Sequence, residues 1–134
     1  MRGVKAGFFI AALFAAGAAQ ARVPLAEVKP INDGLTAVAI ADHIRIKCDD
    51  ISARLVVAWR YIGQLEDQAK AMGYTDDEIE HFVTDKKEKK RVAALAADYI
   101  RAHNADPKDP ATLCALGRAE IAAGSSIGQL LREN

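Results

Sequence analysis

The sequence has few of the residues that usually build a catalytic or metal centre. Its 134 residues include two cysteines and three histidines. None of His43, His81 and His103 lies four residues from another, so the chain lacks the histidine pair that binds a metal on one helix. It also lacks a G-x-S-x-G nucleophile motif and a C-x-x-C redox motif. We therefore expect no catalytic residue, no metal ion and no cofactor.

Charge and hydropathy narrow the range of partners. Lysine and arginine balance aspartate and glutamate at 18 each, so the chain lacks the basic excess that nucleic-acid binding requires. After residue 21 no long apolar run follows, and we expect no membrane span there. We therefore expect that any macromolecular partner is a protein. The sequence does not determine the oligomeric state.

The first 21 residues have the features of a secretory signal peptide. Arg2 and Lys5 give a positive start, an uncharged apolar run covers residues 6–18, and small residues at positions 19 and 21 suit a signal peptidase. We predict cleavage after Ala21, which leaves 16 basic against 18 acidic residues. The sequence thus predicts a signal peptide over 1–21, one helical domain over 22–134 and a periplasmic location.

Both cysteines, Cys48 and Cys114, lie in the part of the chain that is predicted to be exported. An even pair of cysteines in an oxidising compartment indicates a disulfide. A zinc site would need further ligands at local spacing, and the sequence offers none. We predict a bridge between two helices, worth about 4 kcal/mol for a loop of this length.

Helical periodicity and capping residues predict an all-α bundle of four to five helices. Residues 22–31 contain Pro24 and Pro30, and we expect them to form an extended N-terminal arm. Asn32 or Asp33 is then the expected cap of the first helix. Apolar residues lie on two sides of that helix, which predicts a central position in the bundle.

Capping residues mark the later helix boundaries as well. The expected start signals are Asp49 or Asp50, Thr75 with Glu78, a break at Thr84 and Asp85, and Asp109 followed by Pro110. Gly124 should end the last long helix, and Ser126 with Gln129 should cap a short closing helical turn. No segment shows the alternation that is typical of a strand.

The segment from Ile51 to Met72 has the most regular pattern in the chain. Its apolar residues step alternately by four and three, which is typical of a stripe that packs on one partner helix. The stripe consists of Ile51, Leu55, Ala58, Ile62, Leu65, Ala69 and Met72. Trp59 and Tyr61 flank it on either side. Two interpretations remain open: the stripe packs inside the domain, or it pairs with another chain.

A cluster of five basic residues lies within Lys86–Arg91. It is either a patch for an anionic surface or a solvated helical turn that pairs with Asp85 and Glu88. Because no aromatic residues are interleaved, we favour the solvated turn.

Glu120 is a charged residue on the expected buried side of the last long helix, between the positions of Leu113 and Leu116. A buried carboxylate needs a partner, and Arg54 or Arg118 is the candidate. Either Glu120 forms a structural ion pair, or the three side chains form a small polar pocket.

Three segments together resemble a family of small exported alphaproteobacterial proteins of unknown function. They are NDGLTAVAIADHIRIKCDDISAR, MGYTDDEIEHFV and DPATLCALGRAEIAAGSSIGQLL. The resemblance covers nearly all of residues 22–134. It implies export, a helical domain and paired cysteines at Cys48 and Cys114, and it implies no activity.

These observations favour a non-enzymatic binding or interaction protein. The first alternative is a stress chaperone or inhibitor of the cell envelope, because a helical bundle that acid loosens can expose its apolar stripe. The second alternative is a small enzyme with a pocket around Glu120.

Overall fold

A computed structural model describes residues 22–134, and the predicted signal peptide lies outside the described residues. The helices are α1 (Lys29–Lys47), α2 (Leu55–Ala71), α3 (Asp76–Thr84), α4 (Lys86–Ala102) and α5 (Pro110–Ala123). Two 3-10 turns (Leu25–Glu27 and Gly128–Leu130) and two short strands, β1 (Ile51–Ala53) and β2 (Leu131–Glu133), complete this part of the chain. The predicted all-α bundle is confirmed, with five helices.

Helix α1 is the central element of the bundle. It contacts α2, α4 and α5, and its buried side chains Ile40 and Ile44 lie in the main core with Ile100 and Leu113. The predicted central position is confirmed, because neighbours on several sides cover an apolar helix. No helix within residues 22–134 is long and apolar enough to cross a membrane.

The N-terminal segment differs from the extended arm that we expected over residues 22–31. A 3-10 turn forms first, and α1 already begins at Lys29, with Pro30 in its first turn. Proline is tolerated there because its missing N–H would have no helical partner. Leu25 and Val28 are buried in a second cluster with Leu65, which fixes this segment against α2.

The predicted cap at Asn32 or Asp33 was therefore wrong. Val28 precedes the helix without a side-chain cap, and Asn32 is buried inside the first turns of α1. The amide nitrogen of Asn32 donates to the carbonyls of Leu25 and Val28, each at 2.8 Å. Asn32 thus holds the 3-10 turn onto α1, although it does not begin the helix.

The link from α1 to α2 contains a strand that the sequence did not predict. Strand β1 pairs antiparallel with β2, and Ser52 lies opposite Arg132. Neither Asp49 nor Asp50 caps α2, as we had expected, because α2 begins at Leu55 without a side-chain cap. The carboxylate of Asp50 instead forms an ion pair of 3.0 Å with Arg118.

The remaining start signals are confirmed. Thr75 and Glu78 form a complete capping box at α3, and Asp85 caps α4 after a break in the chain. Asp109 caps α5, and Gly124 ends it in the left-handed conformation. At the closing turn, Ser125 accepts the backbone N–H of Gly128, so the predicted cap at Ser126 was wrong by one residue.

The predicted disulfide is confirmed. Cys48 at the end of α1 is joined to Cys114 in α5, and their Cα atoms lie 5.3 Å apart. Cys48 is fully buried in the main core. The bridge ties the central helix to the last long helix across a sequence separation of 66 residues.

Candidate functional site

The first half of α2 presents an apolar surface to solvent. We call it the α2 face and define it as Leu55, Val56, Trp59 and Ile62. Leu55, Val56 and Trp59 are 74%, 63% and 77% exposed, respectively, and Ile62 is also exposed. Positions 55, 59 and 62 follow helical spacing, so these side chains form one continuous surface over about two turns.

The other side of α2 packs on the domain. Val57, Ala58 and Tyr61 contact the main core, and Leu65 and Ala69 are buried in the second cluster. The predicted stripe is therefore divided. Four of its residues, Ile51, Ala58, Leu65 and Ala69, pack inside the domain, whereas Leu55, Ile62 and Met72 are exposed. Trp59 is exposed beside Leu55 and Ile62, which the pattern did not indicate.

Arginines without a carboxylate partner lie beside the N-terminal part of the α2 face. Ion pairs occupy five arginines, namely Arg22, Arg45, Arg91, Arg101 and Arg118. The other three arginines of residues 22–134 are Arg54, Arg60 and Arg132, and they have no ion pair in this range. Arg54 and Arg132 line one shallow hollow with Leu55, and Arg60 follows Trp59 directly.

The opposite end of the α2 face is acidic. Glu66 lies one helical turn after Ile62 and is exposed, as is the next residue, Asp67. Neither carboxylate forms an ion pair with any residue that the structure describes. The face thus has a basic end and an acidic end along the same helix.

Glu120 is buried, as predicted, but hydroxyl groups surround its carboxylate. The Tyr99 hydroxyl donates to Glu120 Oε1 at 2.5 Å, and the Ser125 hydroxyl donates to Oε2. Ser125 also accepts the N–H of Gly128, so Glu120 holds the turn after α5 against α4. These bonds satisfy a buried carboxylate without a cation.

The predicted pairing of Glu120 with an arginine does not form. Arg118 points to the two-stranded sheet and bridges Asp50 and Glu133 at 3.0 and 2.8 Å. Arg54 donates to the carbonyl of Gln129 at 3.3 Å. The structure therefore places the three predicted side chains in three different environments.

A surface pocket of about 350 Å³ lies beside this cluster. Tyr99 and Ser125 contribute to its wall, whereas Glu120 does not line it. Burial, followed by the hydrogen bond to Glu120 and the charge of that carboxylate, raises the pKa of Tyr99 to about 12. At neutral pH the Tyr99 hydroxyl is therefore protonated, and its hydrogen bond is donated to Glu120.

The family of the chain follows from its match over residues 23–132. This range matches a family described as "Family of unknown function (DUF5333)". The chain belongs to the DUF5333 family. No curated protein matches the chain, and no solved structure does.

In this DUF5333 chain the basic cluster within Lys86–Arg91 lies on the first turns of α4. Its four lysines are exposed, and Arg91 turns back to Glu88 and to the side-chain oxygen of Asn32, at 2.8 and 2.5 Å. Arg91 thus links α4 to α1, and the lysines form a solvated turn.

Two of the histidines have packing roles. The Nε2 atom of His43 donates to the carbonyl of Pro107 at 2.6 Å, and the His103 ring stacks on Tyr99 at 3.8 Å between centroids.

The sulfurs of Cys48 and Cys114 and a carboxylate oxygen of Asp50 lie within 4.8 Å of one another. The sulfurs are joined to each other, and Asp50 pairs with Arg118. This group therefore connects the end of α1 and the following link to α5 in the DUF5333 domain.

Proposed function

We propose that the protein is an exported, non-enzymatic interaction protein that binds a protein partner through the α2 face. The observation that supports this proposal is the outward position of Leu55, Val56 and Trp59 on consecutive turns of one helix. Contiguous apolar surface on a soluble domain is typical of a binding site. Tryptophan with neighbouring arginines is the composition that is enriched among residues dominating interface energies.

Export to the periplasm, with cleavage after Ala21, is part of the proposal. The Cys48–Cys114 disulfide supports it, because such bridges persist in oxidising compartments. The signal-like pattern of residues 1–21 supports it from the sequence. The mature chain would then begin at Arg22, whose guanidinium pairs with Glu78 at 2.8 Å and lies over the Tyr74 ring.

An interaction role fits the side chains better than an enzymatic one. Glu120, the buried carboxylate, is engaged by Tyr99 and Ser125 and does not line the neighbouring pocket. A general base or nucleophile needs a free position within hydrogen-bond reach of substrate. Glu120 therefore serves the packing of the turn after α5 in this proposal.

Site-specific photo-crosslinking in cells that export the full chain tests the proposal. A photoreactive residue at Arg60 borders the α2 face, and the same residue at Lys90 on α4 is the control position. We expect protein adducts from position 60 that disappear with Trp59→Gln, and none of these from position 90. Identical adducts from both positions, or a chain that stays in the cytoplasm with its first 21 residues attached, would contradict the proposal.

An envelope stress chaperone is the second candidate, and the same α2 face supports it because exposed apolar side chains bind unfolded chains. A chaperone should suppress aggregation of several unrelated clients, more strongly at acidic than at neutral pH. A specific interaction protein should give one set of adducts at both pH values and protect no client. An aggregation assay on the purified protein thus distinguishes the two functions.

A further inference from the structure

We propose that the α2 face is covered by a second copy of this chain, paired antiparallel about a two-fold axis. This inference rests on the proposed function and names the partner of the same surface. Self-association is favoured because the two ends of the face carry opposite charge, and because the area of the face is close to what a weak dimer requires.

The spacing of the exposed residues sets the alignment of the two helices. Positions 55, 59, 62 and 66 step by four, three and four, which is the spacing of a helix–helix seam. In an antiparallel pairing centred between positions 59 and 62, each Trp59 lies against Ile62 of the second copy. The same alignment places each Leu55 against Glu66 of the second copy.

Charge complementarity selects the antiparallel arrangement. Arg54 and Arg132 adjoin Leu55, so Glu66 of the second copy arrives beside two arginines that have no ion pair within residues 22–134. The methylene stem of Glu66 can pack on Leu55 while its carboxylate reaches those arginines. A parallel pairing would instead bring Glu66 against Glu66 and arginine against arginine, which is unfavourable.

Gly63 allows the helices to approach closely. A Cβ atom at Gly63 would have no neighbouring atom within 4 Å, so there is free space outside the helix at this position. In the antiparallel alignment this position is level with position 58 of the second copy, between the exposed side chains of Val56 and Trp59. The distance between two packed helices depends on the side chains at their contact, and a glycine there allows a shorter distance.

The area of the face suits a weak dimer. An aromatic side chain alone carries about 150–250 Å², and Trp59 is 77% exposed. With Leu55, Val56 and Ile62 included, two copies would bury on the order of 1,000 Å², near the lower limit of specific interfaces. We therefore expect a reversible dimer whose population rises with protein concentration.

Other occupants fit the charges less well. A membrane with anionic lipids would attract the arginines but repel Glu66 and Asp67 at the other end of the face. A partner that carries only positive or only negative charge would likewise be repelled by one end of the face. A second copy satisfies both ends at once.

Sedimentation equilibrium of the purified, disulfide-bonded chain tests the pairing. We expect a concentration-dependent dimer, and Trp59→Gln should raise its dissociation constant about tenfold or more. Met72→Gln changes another exposed apolar side chain, 47% accessible and directly after the end of α2, and should leave the constant unchanged within about twofold. Circular dichroism checks that each variant is folded.

A charge exchange tests the alignment itself. Glu66→Arg and Arg132→Glu should each weaken the dimer about threefold to tenfold. The combined variant should recover most of the loss, because the two charges meet across the axis. A combined variant that is weaker than both single variants would contradict the antiparallel alignment.

The failure of this inference differs from the failure of the proposed function. A monomer at every concentration, or a dimer that is insensitive to Trp59→Gln, overturns the pairing. If such a monomer still forms adducts with a different protein from position 60, the proposed function stands. If it binds phosphatidylglycerol vesicles and Trp59→Gln abolishes that binding, both the pairing and a protein partner are wrong.

Discussion

The hydroxyl of Tyr99 on α4 donates a 2.5 Å hydrogen bond to the carboxylate of Glu120 on α5. This contact joins two helices that are also linked through the turn at Ser125 and Gly128. It explains how a carboxylate that is only 6% exposed can be stable inside the bundle without a cation.

Removal of the Tyr99 hydroxyl should weaken the domain at neutral pH. We expect Tyr99→Phe to lower the free energy of unfolding by about 1.5–3 kcal/mol, because it deletes a hydrogen bond to a buried charged group. Tyr61→Phe is the matched control, since the Tyr61 hydroxyl forms no hydrogen bond with any described residue. Denaturant unfolding compares the two variants, and equal losses would contradict a special role for Tyr99.

Stability should also fall at alkaline pH because of Tyr99. Folding raises the pKa of Tyr99 from 10.0 to about 12, so between these values the folded state retains a proton that the unfolded chain has released. The contribution is complete below pH 10 and is lost as the pH rises from 10 to about 12. Thermal unfolding over this range should show a shallower pH dependence for Tyr99→Phe than for the unsubstituted protein.

Reduction of the disulfide should destabilise the domain strongly. The Cys48–Cys114 bridge closes a long loop, and its loss should cost about 4 kcal/mol of unfolding free energy. We expect a reductant to lower the midpoint of thermal unfolding of the unsubstituted protein. The double variant Cys48→Ala, Cys114→Ala should melt at the lower temperature with or without reductant. A midpoint that reductant leaves unchanged would show that the bridge does not stabilise the fold.

Two glycines should respond oppositely to alanine. A Cβ atom at Gly128 would overlap the backbone carbonyl of Glu120, so Gly128→Ala should cost at least about 2 kcal/mol. A Cβ atom at Gly63, inside α2, would meet nothing within 4 Å. Gly63→Ala should therefore stabilise the single chain, at protein concentrations below dimer formation, by about 0.5–1 kcal/mol through its helix propensity. Unfolding in denaturant measures both, and similar effects would contradict the packing of the closing turn.

The sequence predicts those parts of the fold that depend on neighbours in the chain. The capping box of Thr75 and Glu78, the start at Asp109 and the end at Gly124 are local signals, and each is used as expected. The disulfide was predictable because the chain has only two cysteines.

The incorrect expectations involve partners that are distant in sequence. The strand at Ile51 exists because it pairs with Glu133, which is distant in sequence. Three residues are also too short to show alternation. The early start of α1 depends on the burial of Leu25 and Val28 against Leu65. No local pattern could indicate either contact.

In the candidate site, too, local features were predictable and contacts distant in sequence were not. The apolar spacing of α2 predicted a stripe, but spacing does not reveal which residues of a stripe other elements will cover. Leu65 is covered by the N-terminal segment, whereas nothing in residues 22–134 covers Leu55. The burial of Glu120 was predictable from its helix face, but its partners Tyr99 and Ser125 come from other elements.

The fluorescence of Trp59 gives the most direct test of an α2 face that is open in the single chain and covered on association. Trp59 is the only tryptophan in the sequence, so its emission reports on this surface alone. At low protein concentration we predict the red-shifted emission of a solvated indole, with efficient quenching by acrylamide. At high concentration we predict a blue shift and protection from the quencher. A blue-shifted and protected Trp59 at the lowest concentration would contradict the account.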